Sequence, residues 1–229
     1  MSTRSSVAFL MLSGALVFCS IGCNPQMLTL ALLPFDDGKQ QPEYKLFAEK
    51  KEITIAIATS FARAQTDPDL QGADSELADD LETSFRLRCG ENKHKIKFIP
   101  HAEVRSQQLK QSFSRDGNPV ALGKSLKADY VLDVTINSLK LYDKIYGAKM
   151  FRGRGDLTIN LYKMDVKDGS HRVFSKEYTR VHPREDRPSI DAGASSAAAY
   201  RNLYVGKIAS EVSRMFIAFD EREKKTMLE

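Results

Sequence analysis

Three cysteines and four histidines are the side chains of this 229-residue sequence best suited to nucleophilic or metal chemistry. Their spacing argues against both. His94, His101, His171 and His182 form no HExxH motif, and no Cys/His pair has the spacing of a zinc site. His94 and His171 sit in polar turns, and His101 and His182 flank prolines, so all four read as surface imidazoles. Neither a G-x-S-x-G elbow nor a P-loop occurs. Gly153-Arg154-Gly155 lacks the third glycine and following helix of a dinucleotide fingerprint. Arg154-Gly155-Asp156 falls within an expected strand rather than on a loop tip, so it is read as chance. Acidic residues are plentiful, but sequence alone cannot bring two of them together as an acid/base pair. No catalytic residue, metal or cofactor is assigned, and the chain is read as a non-enzyme.

Two segments have a composition suited to partners. Arg180–Arg187 (RVHPREDR) carries Arg180, Arg184 and Arg187 on an expected loop, where guanidinium groups can make bidentate contacts with anions. Leu139–Phe151 (LKLYDKIYGAKMF) sets Tyr142 and Tyr146 beside lysines. Tyrosine with cations is common at protein interfaces, and equally common as strand packing. The acidic residues between Asp74 and Glu82 read as a solvated helix face.

The N-terminus speaks to location. Arg4 precedes an apolar run, Val7–Phe18, followed by Ser20-Ile21-Gly22-Cys23. A basic start, a short apolar core and small residues before a cleavage point define a secretory signal. The run is shorter than the roughly 20 apolar residues of a membrane-spanning helix. An uncleaved anchor from Val7 through Leu33 would be interrupted by Asn24-Pro25-Gln26.

Ser20-Ile21-Gly22-Cys23 resembles the lipobox of bacterial lipoproteins, with a small residue directly before the cysteine. The resemblance implies cleavage after Gly22 and acylation of Cys23, which would tie the chain to a lipid bilayer. One acyl chain binds weakly and two or more bind stably, at about 0.8 kcal/mol per buried CH2. Asn24, where enterobacterial lipoproteins kept at the inner membrane usually carry Asp, implies the periplasmic face of the outer membrane. Cys19 would then be removed, leaving Cys89 as a lone thiol with no disulfide partner. It reads as a small buried hydrophobe.

Composition agrees with one folded domain: 42% hydrophobic residues, no tryptophan, and a formal charge of +4. That charge is small and no basic face stands out, so no nucleic-acid partner is expected. The chain divides into a signal peptide (1–22), a lipidated cysteine and tether or surface-hugging arm (23–51), a single α/β domain (52–223) and a polar tail (224–229).

Within the domain, Glu52–Ser60 alternates as a strand. A helix starts at Asp74, with Leu77, Leu81 and Phe85 on one face and Gly90 as its stop. Lys95–Ile99 is a short strand, and Pro100 to about Gln111 is helical. Asn118-Pro119 caps a short helix through Leu126. Ala128–Leu141 and Met150–Met164 are long strands, the second with Gly153 and Gly155 on its apolar face, where glycines suggest a bulge or a close backbone approach. Asp168-Gly169 signals a hairpin into Arg172–Val181. A final helix is expected from about Ala194 to Glu223, its apolar face including Tyr204, Ile208, Val212, Met215 and Phe219. This order predicts an α/β (α+β) fold: a mixed sheet of about five strands, parallel early and antiparallel late, with helices packed on it and a long C-terminal helix.

Leu122-Gly123-Lys124-Ser125-Leu126-Lys127-Ala128-Asp129-Tyr130-Val131-Leu132 resembles the stretch that leads a helix into the central strand in the TolB amino-terminal domain and its lipoprotein relatives. Those relatives include the curli-secretion lipoproteins and the activators of penicillin-binding proteins. Ala56-Ile57-Ala58 and the Leu77/Leu81 helix match that group's opening unit in order. The likeness spans about residues 52–180. In it Ala128 allows close packing, Asp129 can satisfy turn amides, and Tyr130 opens the buried face, so all three roles are structural. The long amphipathic hairpins of pore-forming curli relatives are not seen here.

The expectation is therefore a lipoprotein held through Cys23, offering its domain to an envelope protein whose identity is open. A homo-oligomer, a subunit of a secretion or transport complex, and an envelope hydrolase are the rival readings.

Overall fold

The structure is a computed structural model and describes residues 39–48, 52–112, 118–145, 148–167, 170–191, 193 and 196–220. The signal segment, Gly22, Cys23, Asp168-Gly169, Tyr146 and the polar tail lie outside the described residues. Among the described residues no helix is long and apolar enough to cross a membrane.

The domain is an α+β fold. Strand β1 (Glu52–Phe61) is followed by α1 (Ala73–Glu91), β2 (Lys95–Phe98), α2 (His101–Ser112) and α3 (Pro119–Ser125). Then come β3 (Tyr130–Ile145), β4 (Ala148–Lys163), β5 (Arg172–His182), the two-residue β6 (Ile190–Asp191) and α4 (Ala197–Arg214). The strand order is β2-β1-β3-β4-β5, with β6 pairing on β4. β1 pairs in parallel with β2 and β3 across helical crossovers. β3, β4 and β5 form an antiparallel meander.

Two cores sit on opposite faces of the sheet. On one, α1 and α4 bury Leu77, Leu81, Phe85, Tyr204, Ile208 and Val212 against Leu132, Val134, Leu157 and Ile159. The other is smaller. Val104 and Leu122, from α2 and α3, meet Ala56, Ala58 and Val131. Farther along that second face, rows of hydrogen-bonded polar side chains cross the sheet. Asn137 donates to Thr158 (2.8 Å), which donates to Glu177; Ser138 and Thr179 both donate to Asp156 (2.6 and 2.9 Å). In residues 40–48 Leu46 is buried and Tyr44 packs edge-on against Phe174 and Phe216.

Two helix ends differ from the sequence expectation. α1 does not stop at Gly90 but runs to Glu91, and Lys93 takes the left-handed position at φ 56°. The amides of His94 and Lys93 reach back to the carbonyls of Cys89 (2.8 Å) and Gly90 (3.2 Å), the paired bonds of a Schellman cap. Lysine can fill that position because those bonds, and the stacking of His94 on Phe47 at 4.3 Å, hold the turn. α4 ends at Arg214 rather than near Glu223. Met215, Phe216 and Ile217, which follow it, are all buried. The last turn tightens, with Met215 and Phe216 amides bonding three residues back, and Phe219 lies in a two-residue strand.

Candidate interaction site

The site is built by α4 closing on β4 and β5. Ser196 caps α4, its hydroxyl accepting from the Ala199 amide at 3.1 Å. Tyr200, Tyr204, Ile208 and Val212 then recur every fourth residue and point at the sheet. The glycines of β4 make room for them. A Cβ on Gly153 would lie 2.7 Å from Tyr204 ring carbons, and one on Gly155 would lie 3.0 Å from its hydroxyl oxygen. Tyr204 donates to the Arg180 carbonyl at 2.7 Å. Tyr200 donates to the His182 carbonyl and accepts from the Gly153 amide at 2.7 Å. Helix and sheet edge are thereby locked by hydroxyl bonds as well as by ring packing.

This closure sets Glu211 of α4 over β5. Its Oε1 lies 2.8 Å from Arg180 Nη1, with both side chains largely buried, and Tyr178 donates to its other oxygen. Burial, with Glu211 alongside, raises the Tyr178 hydroxyl pKa, so Tyr178 remains a donor. Lys207 is lowered first by burial and then by Arg180, with Glu211 opposing. Next to this cluster runs a groove of about 380 Å³, bordered by Glu43, Lys176, Arg180, Glu211, Arg214 and Phe219. Lys176 is paired with Glu43 of the arm at 2.5 Å, and the Arg214 guanidinium lies over the Phe219 ring at 4.9 Å.

The arginines of the RVHPREDR segment thus divide. Arg180 is not on a loop; it lies in β5 and turns under α4, because alternation along the strand points it to the helix side. Arg184 is exposed beside Asp186 (3.7 Å), and its carbonyl accepts from the Arg187 amide at 2.9 Å in a turn. The Arg187 carbonyl in turn accepts from Arg152 at 2.8 Å. Arg180 and Arg187, with Lys207, all bear on His182. His182 is not a surface imidazole. Burial first, then Lys207, Arg180 and Arg187, lowers its pKa to about 4.

Tyr142 stands apart from these arginines. It stacks on Phe151 (5.1 Å between centroids), which stacks on Tyr200 (4.6 Å), and its hydroxyl donates to Asp69 at 2.8 Å. Burial raises that hydroxyl's pKa to about 12, with Asp69 adding to the shift. These contacts pack the ring inward, and Tyr142 stays partly exposed. Tyr146, the other tyrosine of that segment, lies outside the described residues.

The acidic face of α1 is engaged rather than simply solvated: Arg201 of α4 grips Glu76 through Nη2–Oε1 (2.5 Å) and Nε–Oε2 (2.8 Å). Lys176, Tyr178, Lys207 and Glu211 were not singled out by sequence. The signals were present as alternation along β5 and as a Lys/Glu pair four residues apart on α4, but neither pattern shows that the two elements meet.

No protein-family profile and no curated protein matches the chain. Solved structures similar to it include the hypothetical protein CT253 from Chlamydia trachomatis, at 13% identity and a TM-score of 0.43, covering 71% of this chain and 96% of that one. Lipoprotein GNA1162 from Neisseria meningitidis is similar at 11% identity and a TM-score of 0.39, covering 70% and 96%. The C-terminal domain of LpoB from Salmonella enterica is similar at 10% identity and a TM-score of 0.34, covering 56% and 82%. A bacterial lipoprotein is thus among the solved structures this chain is similar to.

Proposed function

We propose that the protein is a lipoprotein tethered through Cys23 to the periplasmic face of a membrane, with its α+β domain serving as a non-enzymatic interaction or scaffold module of the cell envelope. The observation that carries this reading is the order at the N-terminus: Arg4, the apolar run Val7–Phe18, then Ser20-Ile21-Gly22-Cys23. An acylated Cys23 supplies stable anchoring, since several fatty chains bury far more CH2 groups than one. Asn24 after the cysteine favours the outer membrane as the destination. The arm that follows gives the domain its attachment. Arg180, Arg184 and Arg187 are the contact residues proposed for the partner, an envelope protein, and Tyr142 and Tyr146 are the second set.

The test is Cys23→Ala in the native host, followed by membrane fractionation and metabolic labelling with a fatty acid. The expected result is loss of label and release of the chain from the membrane. Retention of both label and membrane association overturns the proposal.

A further inference from the structure

We propose that the outer edge of β5, with the groove beside it, takes up an extended acidic segment of another protein as an added strand; this rests on the interaction-module reading above. β5 closes the sheet path, and β4 is its only sheet neighbour among the described residues. It is 11 residues long. An edge of that length is ordinarily blunted by proline, a bulge or shortening, because unpaired main-chain groups template further pairing. β5 contains no proline, and its one register shift lies at its start, where Tyr162 meets Arg172. Among the described residues its charges guard it, together with the arm where Tyr44 meets Phe174 and Glu43 meets Lys176.

Those charges also select the occupant. Lys176, Tyr178 and Arg180 alternate onto the α4 side and border the groove. Lys176 and Arg180 are four residues apart, about 13 Å along the strand. Arg214 stands on the same groove, and Lys207 lies within electrostatic reach of Arg180. The arm already shows the chemistry: Glu43, in a non-helical segment outside the sheet, meets Lys176 at 2.5 Å while about half exposed. An added strand with carboxylates at positions i and i+4 on its groove-side face would replace Glu43 on Lys176 and lie alongside the Arg180–Glu211 pair and Arg214, while its main chain paired with β5.

A second copy of this chain fits poorly. Antiparallel self-pairing puts residues of equal parity opposite one another. The three registers of fullest overlap set Glu177 against Glu177, Lys176 against Lys176, or Lys176 against Arg180. Like charges directly opposite are destabilising.

The test uses the full chain, isotope-labelled and purified in detergent, titrated with a nine-residue strand-forming peptide carrying Glu at positions 3 and 7. The expected result is amide shifts concentrated in Arg172–His182, with binding weakened by added salt. Binding should be about tenfold weaker when both Glu are replaced by Gln, and about tenfold weaker for Lys176→Gln, whose lost, partly exposed ion pair with Glu43 should move thermal melting little. Absence of shifts in β5, equal binding of the Glu and Gln peptides, or β5 shifts that follow protein concentration without peptide would each overturn the proposal. The Cys23→Ala outcome reads the anchor independently, so failure at the edge leaves that result standing, and the reverse.

Discussion

The ring of Tyr204 lies flat on the backbone of Gly153, leaving no space for a β-carbon at that position. This close approach allows α4 to sink onto β4 and bring Glu211 to Arg180. Gly153→Ala is expected to destabilise the fold by about 1–3 kcal/mol through overpacking. Gly155→Ala should cost less, because its added carbon meets the end of the Tyr204 side chain at 3.0 Å and a flexible Leu139 methyl at 3.2 Å. Urea unfolding of both variants checks the order. Equal stability of Gly153→Ala and the parent would show that α4 does not depend on this contact.

His182 makes stability fall in mild acid. Its folded pKa, about 4, lies below the ordinary 6.5, so the unfolded chain binds the proton more readily. Its contribution is complete above about pH 6.5 and is lost as pH falls from there toward 4. Lys207 from α4, Arg180 from β5 and Arg187 from the following loop all oppose the charged imidazole, while Glu211 sits by Arg180 and Lys207. The shift corresponds to a loss of about 2 kcal/mol between pH 7 and pH 5. His182→Gln should remove that part of the pH dependence, read as the difference between the two proteins' unfolding free energies at each pH.

Cys89 is expected to be inert in the folded protein. It is 2% exposed, and burial pushes its thiol up to about 12. Thiolate is the reactive form, so at pH 8 the folded chain should label with a thiol reagent at least about a hundredfold more slowly than the chain in urea. Rapid labelling under native conditions would contradict the packing around α1.

How much of this could be read from the sequence depends on the range of the interaction. Alternation in Glu52–Ser60 and the Leu77, Leu81, Phe85 spacing reflect local periods, and they give strand and helix directly. Asn118 caps its helix as its type demands, accepting from the Val120 amide at 2.9 Å. The glycines of β4 signal a bulge or a close backbone approach and not the side chain that fills their space, because Tyr204 lies 51 residues beyond Gly153 along the chain. His182 and Arg180 looked exposed since prolines and charges surround them in sequence. Their burial comes from a helix that follows them, and no local pattern encodes that contact. The spacing of Phe219 implies a helix continuing past Arg214; instead the last turn tightens, with the Met215 and Phe216 amides bonding three residues back, and Phe219 enters a two-residue strand.

Asp129 joins two crossovers of the sheet, and this role was legible in part. Its Oδ2 accepts from the Thr54 amide of β1 at 2.8 Å, its own amide donates to the Thr54 carbonyl at 2.8 Å, and its carbonyl accepts from Met164 of the β4 end at 2.9 Å. Just before it, Lys127 adopts φ 54°, and the Ala128 amide reaches the Gly123 carbonyl at 3.0 Å to close α3. Gly123 is required there: a β-carbon would stand 2.6 Å from Val131 Cγ2 and strike the Met164 thioether. Asp129→Ala leaves the Thr54 amide part-buried without this acceptor, at an expected cost of about 1–3 kcal/mol. Asp129→Asn keeps an acceptor oxygen and should cost less. Hydrogen exchange distinguishes a local from a global effect. The Thr54 amide should lose protection in Asp129→Ala by more than the change in global stability accounts for, while Ile57, deeper in β1, should change only by the global amount. If both amides change equally, the bond holds no special place in the turn.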